Sequence, residues 1–443
     1  MRGGLMTLCI AALLASAATI PSVPSGHPRV FINPQELPGL KQRVQNSAFS
    51  ETWQEVRGSS KPLCKAFVAM VQDDQTLAQE AAAAALTALK ACNDARTPYN
   101  AMHVGACVYD WCYDALTSQQ KQEYIAEFER VAGLHSPYYP ARKEANAIVG
   151  HDCEAWLLTN QLPAGVAIYD ESTTMYDSAV HLFFSKFVEP RNFHYQSHMH
   201  HQGDSYIGTR FQHDMYAAWL FRRMGAGAVF DSAQRYVPYQ IIYHLRPDGQ
   251  QMRSGDTYDD RGKSGQKRFC AMAAGTYYED PYLLAVTDSD IFWSKSDQHC
   301  VFELLWRPTT ASKPLAELSL TKYFPHPMGE MVARTGWTMG IESTAAVVHM
   351  RIGNYFFGNH QCKDFGIFQV YYRGPLAISS GIYEGTNNSY GSAHWTATWT
   401  CTLHSGTICP APQTMSASGY RMARPRQPSP SRSWQPRDRT IPR

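Results

Sequence analysis

Apolar residues recur at helical spacing through roughly the first three quarters of the chain. In Gln75 to Ala91, Leu77, Ala81, Leu86 and Leu89 fall near a 3.6-residue period, and Thr117 with Gln120 forms a capping box ahead of Tyr124, Ile125 and Phe128. Asn33-Pro34 supplies an N-cap followed by a first-turn proline, which predicts a helix running through Leu40 and Val44. Further helical patterns cover roughly 143–160, 173–188, 205–224 and 229–244, with Pro, Gly or polar loops between them. Such a series of antiparallel hairpins suits an α/α toroid, or an irregular helical array whose loops at one end line a cleft. From about residue 320 the pattern turns to β. Ala345 to Ile352, Ile367 to Tyr372 and Leu376 to Ile382 are rich in Val, Ile, Phe and Tyr, and a β-sandwich is the natural expectation. After Trp395 the chain becomes poor in aliphatics, then rich in Pro, Arg and Ser, so that sandwich looks incomplete. The expected class is α+β and multidomain: a toroid over 25–318, an incomplete antiparallel β-sandwich over 319–400, and a disordered tail over 401–443.

The amino terminus changes the picture of where the protein works. Arg2, the apolar run Leu5 to Leu14 and the small residues Ala15-Ser16-Ala17 read as a signal peptide over residues 1–20, which predicts export to the periplasm or the extracellular space. The run is too short for a bilayer anchor and no later run reaches transmembrane length, so no membrane span is expected. Charge adds little. The formal net charge is +2, but residues 420–443 carry seven Arg and one Asp, leaving the rest at about −4, which gives no reason to expect a nucleic-acid partner. The ten Cys after Cys9 show no CxxC pairs. They allow one or two disulfides, with most better read as buried small hydrophobes.

Three segments carry candidate chemistry. In Gly150-His151-Asp152-Cys153-Glu154-Ala155-Trp156, helical spacing puts His151 and Glu154 on one face, where an imidazole and a carboxyl can form an acid/base or substrate-clamping pair; a solvated helix face is the plain alternative. The run from Asn192 to His201 holds four His within eight residues. Metal is one reading, but no nearby carboxylate or Cys completes a set, and rings at a cleft mouth such as His198 and His201 serve equally for sugar stacking. Tyr206 and Arg210 follow one helical turn apart, a phenol near a guanidinium. The third segment, Gly358 to Ile378, is a polar loop containing His360 that feeds into an apolar strand, a placement that suits a base held at a rigid sheet edge.

Tyr109-Asp110-Trp111-Cys112-Tyr113-Asp114, the His151 to Trp156 block, Gln161 to Tyr169 and the His360 to Ile378 block, in that order over about residues 27–395, resemble the heparinase II/III family, most of all its heparinase II-type polysaccharide lyases. The resemblance implies cleavage of uronic-acid polysaccharides, of the heparin and heparan sulfate type, by β-elimination. It maps Tyr206 to proton donor and possible base, His360 to base, and His151 and Glu154 to the uronate carboxyl, with Arg210, His198 and His201 as substrate contacts. No cofactor is needed for that chemistry. The family also has a structural zinc, and here the chain departs from it: Cys362 stands at a zinc-ligand position, Ser379 replaces an expected Asp, and residues 411–443 contain no His. The zinc is therefore expected to be absent or weak. Two alternatives stay open at this level, a toroid glycoside hydrolase using Asp256, Asp259 or Asp260, and a truncated glycan-binding relic. The partner in each case is an acidic polysaccharide, and oligomeric state is not legible.

Overall fold

The computed structural model describes residues 20–93, 101–134, 154–255, 264–289, 296–353 and 366–377. They belong to one compact unit, residues 1–401; residues 402–443 form another and lie outside the described residues, as does the predicted signal segment up to residue 19. The described part is mostly helical with one small antiparallel sheet, an α+β protein.

The helices run α1 (Leu37–Arg43), α2 (Ser50–Gly58), α3 (Pro62–Gln72), α4 (Gln75–Lys90), α5 (Ala101–Trp111), α6 (Ser118–Ala132), α7 (Leu162–Ala167), α8 (Thr174–Leu182), α9 (Val188–Tyr195), α10 (Asp204–Tyr206), α11 (Gln212–Arg223), α12 (Tyr239–Tyr243), α13 (Gly265–Tyr277), α14 (Pro281–Asp288) and α15 (Asp297–Trp306). Their starts follow from local chemistry. Asp74 accepts a hydrogen bond from the Leu77 N–H, Ser296 from His299, and Asp280 from Tyr282 and Leu283 ahead of Pro281, each satisfying first-turn donors the helix itself cannot. The Thr117/Gln120 capping box is present with both of its bonds. One predicted helix is shorter than its pattern: 229–244 divides into a 3₁₀ turn, Ser232–Tyr236, and α12, with Pro238 between them, since a proline has no N–H to carry the helix on.

Helix α5 is buried almost all round, and Gly105 permits its approach to α4 and α6, because a Cβ there would lie 2.8 Å from Leu89 Cδ1. Around it, Phe31, Tyr216, Phe269, Phe302 and Trp306 meet mostly edge-to-face or tilted, while Tyr216 stacks on Phe269 at 4.9 Å and Trp219 on Trp306 at 4.8 Å. Cys64, Cys107, Cys112 and Cys270 are buried thiols within this core, in keeping with the reading of cysteines as small hydrophobes.

The sheet is a meander, β1 (Thr321–Phe324), β2 (Glu330–Arg334), β3 (Val347–Arg351), β4 (Ile367–Tyr371) and β5 (Pro375–Ala377), each strand antiparallel to the next. β3, β4 and β5 fall within or at the edge of the predicted strands; β1 and β2 carry too little aliphatic alternation to be read as such. The sheet's buried face is mixed: Glu330, Arg334, His349, Arg351 and Gln369 lie on it beside Phe324, Val332, Val347, Ile367 and Tyr371, while Tyr323, Met331 and Met350 are exposed on the other. Register explains how the buried polar face is satisfied, since it sets Arg351 opposite Glu330 and Gln369 opposite His349.

Candidate functional site

Glu154 opens the segment whose π-helical stretch, Ala155–Gln161, leads into α7, and Tyr206 and Arg210 sit where α10 passes through a second π-helical stretch, Ile207–Phe211, into α11. Widened turns of this kind rotate side chains out of the regular i, i+4 rows and occur often at functional sites. The two segments pack together, linked by the Thr159 hydroxyl at 2.7 Å from His213 Nδ1. Across that contact Glu154 Oε1 lies 3.0 Å from Arg210 Nη1, both residues buried, and the Arg210 guanidinium stands 5.5 Å from the Tyr206 ring centre. Glu154 Oε2 is buried with no hydrogen-bond partner among the described residues.

A second buried ion pair adjoins this one. Arg191 Nε lies 3.4 Å from Asp214 Oδ1, and the Tyr195 hydroxyl donates to Asp214 Oδ2 at 2.5 Å. Burial pushes the Asp214 carboxyl up to about 6 despite the pull of Arg191 and of the Tyr195 hydroxyl. Two carboxyl groups and two guanidiniums thus share one buried region.

Of the residues predicted from sequence, Glu154, Tyr206 and Arg210 are brought together. His201 is fully buried and packs against His194 and His200, with ring centres at 4.7 and 4.8 Å. His198 is partly buried and packs tilted against Tyr236, ring centres 4.5 Å apart; burial, and then Lys322, pull it down to about 4, so it is a neutral ring at neutral pH. His151, His360, Cys362 and Ser379 lie outside the described residues, as do Asp256, Asp259 and Asp260.

Sequence reasoning did not reach a network that joins this site to the sheet. Asp204, two residues before Tyr206, accepts from Gln240 Nε2 (3.1 Å) and the Ser254 N–H (3.1 Å), and its Oδ1 lies 2.9 Å from His244 Nδ1. His244 Nε2 stands 3.5 Å from Glu330 Oε2, which also meets His349 Nε2 at 2.9 Å, and the Ser254 hydroxyl donates to Glu330 Oε1 at 2.8 Å. All of these side chains are buried. Burial alone would lower His244; Asp204, by charge and hydrogen bond, and then Glu330 outweigh it and raise its pKa.

His244, Glu330 and His349 are close enough together to suggest a metal site, but the polarity of their hydrogen bonds argues otherwise. Gln369 is fixed by the Arg253 backbone, accepting from its N–H at 3.1 Å and donating to its carbonyl at 2.6 Å, so the same amide nitrogen donates to His349 Nδ1 at 2.8 Å. The His349 proton is therefore on Nε2, pointing at Glu330, and no lone pair is left there for a metal.

No family model matches the sequence, and no curated protein matches it. Among the described residues, no helix is long and apolar enough to cross a membrane.

Proposed function

We propose that the protein is an exported polysaccharide lyase that cleaves uronic-acid-containing, glycosaminoglycan-like polymers by β-elimination, its helices arranged as an α/α toroid. The observation that carries this reading is the convergence of Glu154, Arg210 and Tyr206 from segments some fifty residues apart, with a phenol beside a guanidinium–carboxylate pair. The resemblance to heparinase II-type lyases is a separate support, from sequence.

The C5 hydrogen of a hexuronate is a very weak acid until the neighbouring carboxylate is neutralised and the developing enolate-like charge is stabilised. From sequence that task falls to Glu154, as an acid sharing a proton with the substrate. On this reading the labour is divided: Glu154 orients Arg210, and the guanidinium's positive charge stabilises the uronate carboxylate and the enolate-like charge that develops on it. Tyr206 then protonates the departing O4, and His360, with His151 near the carboxyl, removes the C5 proton as a neutral imidazole. A proton-transfer group of this kind is worth about 10²–10⁴ in rate.

The test follows ultraviolet absorbance while the full chain acts on a panel of uronic polymers, heparan sulfate, chondroitin and dermatan sulfates and alginate among them. Elimination leaves a conjugated 4,5-unsaturated uronate that absorbs. New reducing ends without absorbance would mean hydrolysis, and neither signal on any polymer would remove the enzymatic reading.

A further inference from the structure

The run His194 to His201 folds into something that its spacing does not announce. His194 lies in the last turn of α9, and the chain then reverses on itself: the Ser197 hydroxyl donates to the carbonyls of His194 (2.6 Å) and Met199 (3.1 Å), and His198 takes a left-handed φ of 59°. The reversal returns His200 and His201 to His194, and the His200 N–H is held by Gln240 Oε1 at 2.9 Å. All three rings are buried, and one ring nitrogen from each lies within 4.8 Å of the others.

We propose that His194, His200 and His201 bind one divalent transition-metal ion of the zinc class, a site independent of the lyase chemistry above. Metal–nitrogen bonds of about 2.0–2.1 Å in a tetrahedral arrangement put ligand nitrogens roughly 3.3 Å apart, so the rings need to close by at most about 1.5 Å, within reach of small side-chain rotations. Three imidazoles without a carboxylate or thiolate select zinc, cobalt, nickel or copper and disfavour magnesium and calcium, which take oxygen ligands. Imidazole ligates a metal in its neutral form, and Arg191, three residues before His194, carries a positive charge that a cation here would meet. Arg191 is itself balanced by Asp214, which limits its repulsion of a cation. At His200 the Gln202 N–H approaches Nδ1 at 3.3 Å, a long bond that ligation through Nδ1 would replace. The ion would fix the 196–203 turn immediately ahead of Asp204 and Tyr206.

The experiment uses the full, tag-free chain, stripped with chelator and reloaded with Co²⁺ or Zn²⁺. The expected result is about one equivalent of metal by elemental analysis and visible cobalt bands of a four- or five-coordinate nitrogen site. His200→Gln and His201→Gln should each weaken binding at least tenfold, while His198→Ala and His244→Gln bind as wild type does; circular dichroism establishes that each variant is folded. No metal uptake by the wild-type chain overturns the proposal without reference to any variant. So does undiminished uptake in both His200→Gln and His201→Gln, or a near-ultraviolet sulfur-to-cobalt charge-transfer band, which would place the metal on cysteine.

Discussion

Glu330→Gln tests whether the sheet is tied to the helices by charge. Glu330 is fully buried on β2, and its carboxyl is held down to about 2 from an ordinary 4.5. Burial works against ionisation; the His349 hydrogen bond, Arg351 and His244 overcome it. The difference corresponds to about 3 kcal/mol of stability at neutral pH. Because the folded pKa lies below the unfolded one, this contribution is complete above pH 4.5 and is lost as pH falls towards 2, with about 2 kcal/mol gone by pH 3. Glutamine keeps an oxygen for the Ser254 hydroxyl but turns an amide N–H towards the His349 N–H, adding a pH-independent cost of about 1–3 kcal/mol. Urea unfolding followed by tryptophan fluorescence at pH 7, 4 and 3 should therefore show a wild-type advantage of about 4–6 kcal/mol that narrows by about 2 kcal/mol across the series. For a unit of 401 residues, 3 kcal/mol corresponds to roughly 4 °C in Tm. An advantage that stays constant with pH would refute the electrostatic account even if the variant is destabilised.

Other expectations follow from single features. Tyr206→Phe should lower kcat at least about a hundredfold with unchanged far-ultraviolet circular dichroism, and turnover equal to wild type would remove the phenol from the chemistry. Arg210→Lys keeps the charge but loses the planar guanidinium whose Nη1 meets Glu154 Oε1, so kcat/KM on the best uronan should fall at least about tenfold. Asp74→Ala removes the N-cap of α4 and should cost about 1 kcal/mol in chemical denaturation, with no effect on activity. The Cys64 thiol, pushed up to about 11 chiefly by burial, should react with a thiol reagent at neutral pH only on unfolding; prompt labelling of the native protein would contradict its placement.

The helical part was legible because its apolar spacing and its caps agree, as at Asp74 to Lys90 and at Thr117 with Gln120. The sheet was legible only where its strands are aliphatic. β2 reads Glu-Met-Val-Ala-Arg and buries both of its charged ends, so a rule that places charges outside misreads it. Glu330 is satisfied by Arg351, His349 and Ser254 and Arg334 by the carbonyls of Gly336 and Leu245, neighbours mostly fixed by strand register and by loops more than 70 residues earlier in the chain, information absent from any short window. The candidate site divides in the same way. Tyr206 and Arg210 are four residues apart and could be paired by eye, whereas Arg191 with Asp214 and Asp204 with His244 are brought together only by tertiary packing. The histidine run was visible, but the reversal at Ser197 and His198 that gathers three of its four rings was not.

Asp204→Asn asks whether this buried network positions Tyr206 or merely holds the fold. Asp204 begins the short helix that ends at Tyr206, behind Gly203, whose φ of 89° and close approach to the Ser254 carbonyl admit no side chain: a Cβ there would lie 1.9 Å from that oxygen. Both carboxylate oxygens of Asp204 are engaged, by His244 and Gln240 on one side and by the Ser254 N–H on the other. An Asn presents an N–H to one of these donors, and with a charged partner involved the cost is about 2–3 kcal/mol. His244 supplies the pH signature. Its folded pKa is raised, so the stability it contributes is fully present below 6.5 and disappears as pH rises through the folded value. The advantage of wild type over Asp204→Asn should therefore shrink as pH is raised from 6.5, the opposite direction to the Glu330→Gln series. If Asp204 also fixes the entry to Tyr206, kcat should fall at a pH where both proteins are fully folded, with KM little changed. A stability loss of the expected sign with kcat untouched would assign Asp204 to the fold alone and leave Tyr206 positioned by Arg210 and the π-helical turn.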